Sequence, residues 1–364
     1  MKKNLALLLA FGILLFLPLA PAETPLTLYE SKPFEYYLKD DQGGASAVIA
    51  KYTGSEQDLA IPETLDGYAV TGIGDKAFYK REDIKAIRLP DTVSEIGAYA
   101  FYGCKGLGTI KLPPMLENIG KWAFVACDGI DVFVIPPSVN VIGDAAFSAC
   151  KKLTAIVTEA GNPVFTSMDG VLINSITETL IAWPQGKPVQ KASIHEGIKM
   201  IAPRAFTGNT QIKEVALPAS LVEIGESAFS GCDNLVRADL PDGLKIIGTA
   251  AFYWCRMLEP SPIPQSVENI MPYAFSNCLA AAAFSVDSAN PFYSSMDGCL
   301  YDIRNAALLA YPLDSPAKEF TVAEGTRAIG PDAFMNCVTL QGLTLPEGLE
   351  SIGQNAMRNC DALK

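Results

Sequence analysis

Histidine is almost missing from this chain: His195 is the only one in 364 residues. A multi-histidine metal centre is therefore excluded, and any Ser-His-Asp triad would depend on His195 alone. The nine cysteines include no C-x-x-C pair, which removes support for a cysteine zinc site. Asp169-Gly170 and Asp297-Gly298 lack the D-x-D-x-D spacing of a calcium loop and read as turns. Basic residues are scarce, 28 against 40 acidic ones, for a formal charge of −12. Such a surface repels nucleic acid and anionic lipid headgroups, so neither is expected as a partner. After the run from Leu5 to Leu19, no apolar stretch reaches membrane-spanning length.

That run belongs to a leader. Lys2 and Lys3 form a basic start, the apolar run follows, and Ala20-Pro21-Ala22 fits a small-residue cleavage site. Residues 1–22 are read as a signal peptide, with a retained N-terminal anchor as the alternative. Its removal leaves the product still more acidic. The mature chain is expected to be secreted, extracellular or periplasmic, with no transmembrane segment. No sorting or anchoring signal is evident, so the mode of any surface attachment stays open.

One short, constant spacing dominates what remains. Phenylalanine recurs at Phe78, Phe101, Phe124 and Phe147, then at Phe206, Phe229, Phe252 and Phe275, and again at Phe334, with Met357 in the tenth place. Isoleucine stands five residues before each of these ten positions and alanine immediately before. A fixed period of about 23 residues means stacked coils, each able to bury its apolar face only against its neighbours. Within one coil, Leu107, Ile110 and Leu112 alternate as a half-buried strand does, and Pro113 ends the strand. Ile119, Ala123 and Cys127, spaced by four beside Phe124, predict two short helical turns. Eight cysteines, Cys104 to Cys360, stand three residues after the phenylalanine slot. Equivalent side chains of stacked coils point the same way, so a ladder of buried thiols is expected over structural disulfides. Cys299 lies outside the ladder.

A longer period overlies the short one. Asn162-Pro163 through Met168-Asp169-Gly170 returns further along as Asn290-Pro291 through Met296-Asp297-Gly298. Each copy is read as a hairpin-like variant coil. The expected organisation is a capping hairpin at 23–65, coils at 66–158, a variant coil at 159–193, coils at 194–286, a variant coil at 287–321 and coils at 322–364. The last block shows no polar end cap, which leaves its final coil exposed or implies a partner at that edge.

The unit I-G-x-x-A-F-x-x-C-x-x-L-x-x-I-x-L-P resembles the BspA-type leucine-rich repeat of exported bacterial surface proteins. The likeness runs from about Val48 to Lys364 and includes the Asn-Pro…Met-Asp-Gly variant coil. It implies an α/β repeat fold: a right-handed leucine-rich-repeat solenoid with one short parallel strand and a short helical turn per coil. It also implies adhesion to host matrix or neighbouring cells, with no catalytic residue and no cofactor.

Two groups of outward strand positions are candidate sites. Arg88, Thr109 and Lys111 lead into Val132, Val134, Ala155 and Val157, a basic stripe beside an apolar one that suits a protein or glycan partner. Covering by a hairpin coil and plain β-propensity are the alternatives for the valines. Lys213, Glu214, Arg237, Asp239 and Glu259 form a charged face, as polysaccharide hydrolases and lyases of solenoid fold carry. A solvated ladder of opposite charges explains it as well. His195 falls eleven residues before Phe206, where other coils hold the strand-ending proline, so a structural turn role is expected. Tyr79, Tyr102, Trp122, Tyr253 and Trp254 flank the core rings and suit an interface or partial burial between coils. The reading is a non-catalytic binding and adhesion protein. A glycan-cleaving solenoid and a passive self-associating surface protein are the rivals, and the oligomeric state is open.

Overall fold

The computed structural model describes residues 26–41 and 43–364; the leader read at 1–22 lies outside the described residues. The chain winds into about 13 turns of a solenoid. An ordinary coil contributes two short parallel strands, where the sequence predicts one, and only the coil of Asn269–Ile270 reduces the first of them to a bridge at Ile263. Thr109–Lys111 pairs in register with Ala86–Arg88 of the coil before. Further along the same coil, Asn118–Ile119 lies between Glu95–Ile96 and Val141–Ile142. The recurring isoleucine thus belongs to a second strand row. Its glycine follows because the coils nearly touch there: a Cβ on Gly120 would fall 2.5 Å from the carbonyl carbon of Gly97.

The expected helical turns are not formed, and no helix occurs among the described residues. Trp122 and Ala126, two residues either side of Phe124, sit at φ of 62° and 57°. The amides of Trp122, Phe124 and Ala126 donate forward to the carbonyls of Asp144, Ala146 and Ser148 in the next coil, at 3.0, 2.8 and 3.0 Å. Those of Ala123 and Cys127 donate back three residues, to Gly120 and Phe124. An α-helix needs every amide for its own i−4 carbonyl. Here alternate amides leave the segment, and left-handed residues reverse the chain every fourth position. The segment is a run of β-turns stitched to its neighbours. Each non-glycine left-handed residue costs about 1–2 kcal/mol, which this third inter-coil ladder and the burial beneath it offset.

The same ladder explains the constant alanine. The carbonyls of Ala100, Ala123, Ala228 and Ala251 each accept the amide of the previous coil's phenylalanine, and their methyl groups are fully buried. The rings then stack along the axis. Centroids lie 5.0 Å apart for Phe78–Phe101, 5.2 Å for Phe101–Phe124, 4.7 Å for Phe206–Phe229 and 5.2 Å for Phe229–Phe252. Trp183 and Tyr311 fill the slot in the variant coils, 5.1 Å from Phe206 and 5.0 Å from Phe334, so the interior file of rings resumes before each ordinary block. Beside it runs the thiol ladder. All nine cysteines are free, and the thiols of Cys104, Cys127 and Cys150 donate to the carbonyls of Phe78, Phe101 and Phe124 at 3.0–3.2 Å. Cys299, outside that ladder, is free and buried as well.

Each variant coil is a three-stranded antiparallel meander. The first comprises Phe165–Met168, Val171–Asn174 and Thr179–Ala182, whose last strand pairs parallel with Met200–Ile201 and so starts the next isoleucine row. The second repeats this with Tyr293–Met296, Cys299–Asp302 and Ala307–Ala310. At the N-terminus, Tyr29–Ser31, Phe34–Asp41 and Gly44–Tyr52 do the same for Tyr68–Ile73. The Asn of the Asn-Pro signature anchors each inner meander. Asn290 donates to the carbonyls of Pro264 and Val267 and accepts from the amides of Phe292 and Tyr293, all within 2.8–3.1 Å. Asn162 makes the equivalent four bonds. Buried amides persist when every donor and acceptor is met in this way.

Candidate partner-binding face

The leucine-row strands present one face to solvent. Arg88, Thr109 and Lys111 stand on it, all exposed, because strand side chains alternate: Ile87 and Leu89 on either side of Arg88 point into the core, and Ile110 turns inward between Thr109 and Lys111. Arg88 lies directly opposite Lys111 in the parallel register. Like charges in that relation repel, and neither has a carboxylate at ion-pair distance among the described residues, although acids outnumber bases in this chain. The two cations and Thr109 line a surface depression of about 550 Å³, with Asp58 and Asp91 as its acids.

The valine stripe follows in the next two coils. Val132–Ile135 pairs with Ala155–Thr158, which sets Val132 beside Ala155 and Val134 beside Val157. Val132, Val134 and Val157 remain 44%, 45% and 41% exposed, and Ala155 is half-buried. The first meander does dock here, but at the edge of the strand: the Ile156 amide donates to the Gly170 carbonyl at 2.8 Å, and the Ser167 hydroxyl to the Ile156 carbonyl at 2.6 Å. Gly170 packs on Ala155, the one small residue of the stripe, and the valines stay open.

The charged group is dispersed by comparison. Glu214–Ala216 and Arg237–Ala238 are paired strands with Glu214 opposite Arg237, while Lys213 precedes its strand and Glu259 lies on none. The third coil keeps only an isolated bridge between Ile263 and Val286, so the face does not span three successive strands as expected. Three of its five charges are paired, while Lys213 and Glu259 make no ion pair among the described residues. Lys191 reaches Glu214 at 3.4 Å, and Arg237 reaches Asp239 at 2.8 Å, a bond that raises the guanidinium pKa further. No group of three or more metal-ligating side chains occurs among the described residues.

His195 is not only a turn residue. Its side chain is about half exposed, with Nε2 3.4 Å from Asp169. The flanking aromatics form their own file on the turn side: Tyr79 stacks on Tyr102 at 5.1 Å, Tyr99 meets Trp122 at 5.4 Å, and Arg204 covers Trp122 at 5.0 Å. Stacking on one another and on cations accounts for these rings as structure, with Tyr79 still 40% exposed. What sequence reasoning missed is the unneutralised Arg88–Lys111 pair. Both belong to the L-x-x-I-x-L pattern one period apart, and that phase alone places them side by side.

No helix among the described residues is long and apolar enough to cross a membrane. No curated protein matches the chain. Among solved structures, a leucine-rich repeat protein from Eubacterium ventriosum is similar at a TM-score of 0.60 and 18% identity, covering 92% of this chain and 88% of that one. The pneumococcal vaccine antigen PcpA is similar at a TM-score of 0.59 and 20% identity, with 90% and 98% covered. At such identities the likeness speaks for the fold alone. The model of the BspA type leucine rich repeat region matches residues 71–171, 184–295 and 313–364 in six copies, and the chain belongs to that family.

Proposed function

We propose that this chain is an exported, non-catalytic binding protein that takes a protein or glycan partner on the leucine-row strand face of its first five coils. The observation that carries the reading is the Arg88–Lys111 pair, in register and engaged in no ion pair among the described residues, at a depression continuous in coil order with the exposed Val132, Val134 and Val157. A fold that spends stability on adjacent unpaired cations keeps them for an external acid. The basic stripe sets the partner's charge as acidic, and the valines supply the apolar contact typical of a protein interface. Export rests on the leader read at 1–22 and agrees with the surface or exported setting usual for this family. The paired, dispersed charges at Arg237 and Asp239 favour a solvated ladder over a glycan-cleaving site.

The purified chain, applied to immobilised matrix proteins and to a glycan array, is expected to be retained on surfaces bearing acidic groups. Arg88→Glu with Lys111→Glu should lower that retention about tenfold or more, since two attractive contacts become repulsive. Arg237→Ala with Asp239→Ala should leave it unchanged. Equal retention of the first double variant and the unaltered chain would remove the face from the account.

A further inference from the structure

The leucine row is interrupted between its basic and its valine stripe. Asp58–Ala60, Ala86–Arg88 and Thr109–Lys111 form one sheet and Val132–Ile135 and Ala155–Thr158 another, and no ladder joins the two. The carbonyls of Lys85, Gln190 and Lys213 each accept two amides of the following coil at 2.7–3.3 Å. Gly108 holds the equivalent place, and no amide of Asp131 or Val132 reaches it. Of the in-phase Cα pairs Thr109–Val132, Ile110–Phe133 and Lys111–Val134, at least one is more than 8 Å apart, against about 4.8 Å in a ladder. The coils meet again on both flanks. A Cβ on Gly129 would fall 2.5 Å from the Leu107 oxygen, and the Ser138 hydroxyl donates to the Leu116 carbonyl at 2.7 Å.

Phe133 holds the break open. Its slot carries Ile87, Ile110 and Ile156 in the neighbouring coils. The larger ring stands 4.9 Å from Phe124 and 4.8 Å from Phe147, whose centroids lie 5.9 Å apart where the two preceding pairs keep 5.0 and 5.2 Å. The same association recurs in the second block. Phe284 fills the equivalent slot there, and pairing with the coil before it shrinks to the Ile263–Val286 bridge. In the first block Ile110 is left half-buried, while Ile87, Phe133 and Ile156 are closed off. Gly108, Thr109, Lys111, Asp131, Val132 and Val134 are all exposed, so the two unpaired strand edges open to solvent.

We propose that this break takes an extended acidic peptide of a partner protein as an added rung between Thr109–Lys111 and Val132–Ile135. A strand placed between two others needs two ladder steps, about 9.6 Å, and the break approaches that width. Two facing edges that alternate amides and carbonyls match the main chain of a peptide, which bonds to both sides at once. Side chains of the added strand alternate: one set turns inward onto Ile110, and the other lies on the outer face beside Lys111 and Arg88, which make no ion pair among the described residues. Inward residues are therefore small and apolar, and outward ones acidic. The acid at the far margin, Asp131, accepts the Thr154 hydroxyl at 2.8 Å. The inference rests on the reading of this face as partner-binding and narrows the partner from protein or glycan to an extended peptide.

The test titrates the full chain into a short fluorescein-labelled peptide of alternating aspartate and valine, read by anisotropy, with heparin oligosaccharide as a separate probe. Saturable peptide binding is expected. The same peptide methylated on its central backbone nitrogens keeps every charge and loses the strand donors, so it should bind about tenfold more weakly or worse. Phe133→Ile, which copies the side chain of the neighbouring coils, should close the ladder and weaken the unmethylated peptide to a similar degree. It keeps Arg88 and Lys111, so retention on acidic surfaces should persist in that variant. If Phe133→Ile fails to fold, the methylated peptide decides alone. Equal binding of the two peptides overturns the inference, as does a folded Phe133→Ile chain that binds the peptide as the unaltered one does. Heparin bound with no peptide binding also overturns it and leaves the face itself standing. Loss of both probes in the unaltered chain removes the face and the inference together.

Discussion

Above pH 9 the fold should lose stability far faster than an ordinary acidic protein. Burial pushes the thiols of Cys104, Cys150, Cys278 and Cys299 up to about 12 from the usual 9.0, and those of Cys127 and Cys255 well above it. In the unfolded chain the same thiols ionise near their ordinary value. Between the two, the folded chain binds more protons, so stability falls as pH rises. The contribution is whole below pH 9 and drains away from there towards pH 12. Each such thiol removes about 1.4 kcal/mol per pH unit once its unfolded form is ionised. Six acting together take roughly 5–8 kcal/mol per unit, comparable with the 5–15 kcal/mol that holds a typical domain. Burial also raises Tyr301 to about 12, which steepens the loss beyond pH 10.

Urea midpoints measured under reducing conditions from pH 7 to 10.5 should therefore be level at first and then collapse. Replacing Cys104, Cys127 and Cys150 together by alanine should halve the alkaline slope while lowering the neutral midpoint modestly. A midpoint indifferent to pH up to 10.5 would mean that the thiols are neither buried nor protonated.

The second large effect concerns the file of rings. Phe229 is fully buried, with Phe206 on one side and Phe252 on the other. Phe229→Ala should cost about 3–5 kcal/mol from lost transfer energy and the cavity left behind. Two ring–ring contacts worth about 0.5–1.5 kcal/mol each go with it. Met257, 51% exposed, provides the comparison: Met257→Ala should stay within about 0.5 kcal/mol. Because each coil rests only on its neighbours, the damage should appear as early loss of the second block rather than a uniform shift. Denaturant titration with probes in separate blocks reads this, and coincident transitions for all blocks would argue against nearest-neighbour stability.

Much of this architecture could be read directly from spacing. Phe78 to Phe334, the alanines before them and the cysteines after them all proved to be interior, because one constant period puts equivalent side chains in one place. The helical turns were misread for a physical reason. Ile119, Ala123 and Cys127 do share an inward direction at a spacing of four, but a chain of β-turns reversing every fourth residue also produces that spacing. The distinguishing signal lay two residues either side of each phenylalanine. Six of the ten positions on the far side are glycine or asparagine, namely Gly103, Gly208, Gly231, Asn277, Asn336 and Asn359. None of the positions on either side carries valine, isoleucine, threonine or proline. That is the mark of left-handed backbone, where β-branched side chains clash.

Trp183 and Tyr311 were hidden differently. They stand one full period before Phe206 and Phe334, but the isoleucine and glycine that identify other coils are missing beside them. At the candidate face, the residues were legible and their relation was not. Arg88 and Lys111 follow from the strand pattern, whereas the lack of an ion pair depends on where every acid of the neighbouring coils points.

The faces and the thiol ladder both rest on coils joined by alternate amides rather than by helices. Scalar coupling across the hydrogen bond of the Phe229 amide in perdeuterated protein tests this most directly. The account predicts a coupling from the Phe229 nitrogen to the carbonyl carbon of Ala251, the acceptor at 2.8 Å in the next coil. A coupling to Gly225, four residues back, would show a helix and contradict it.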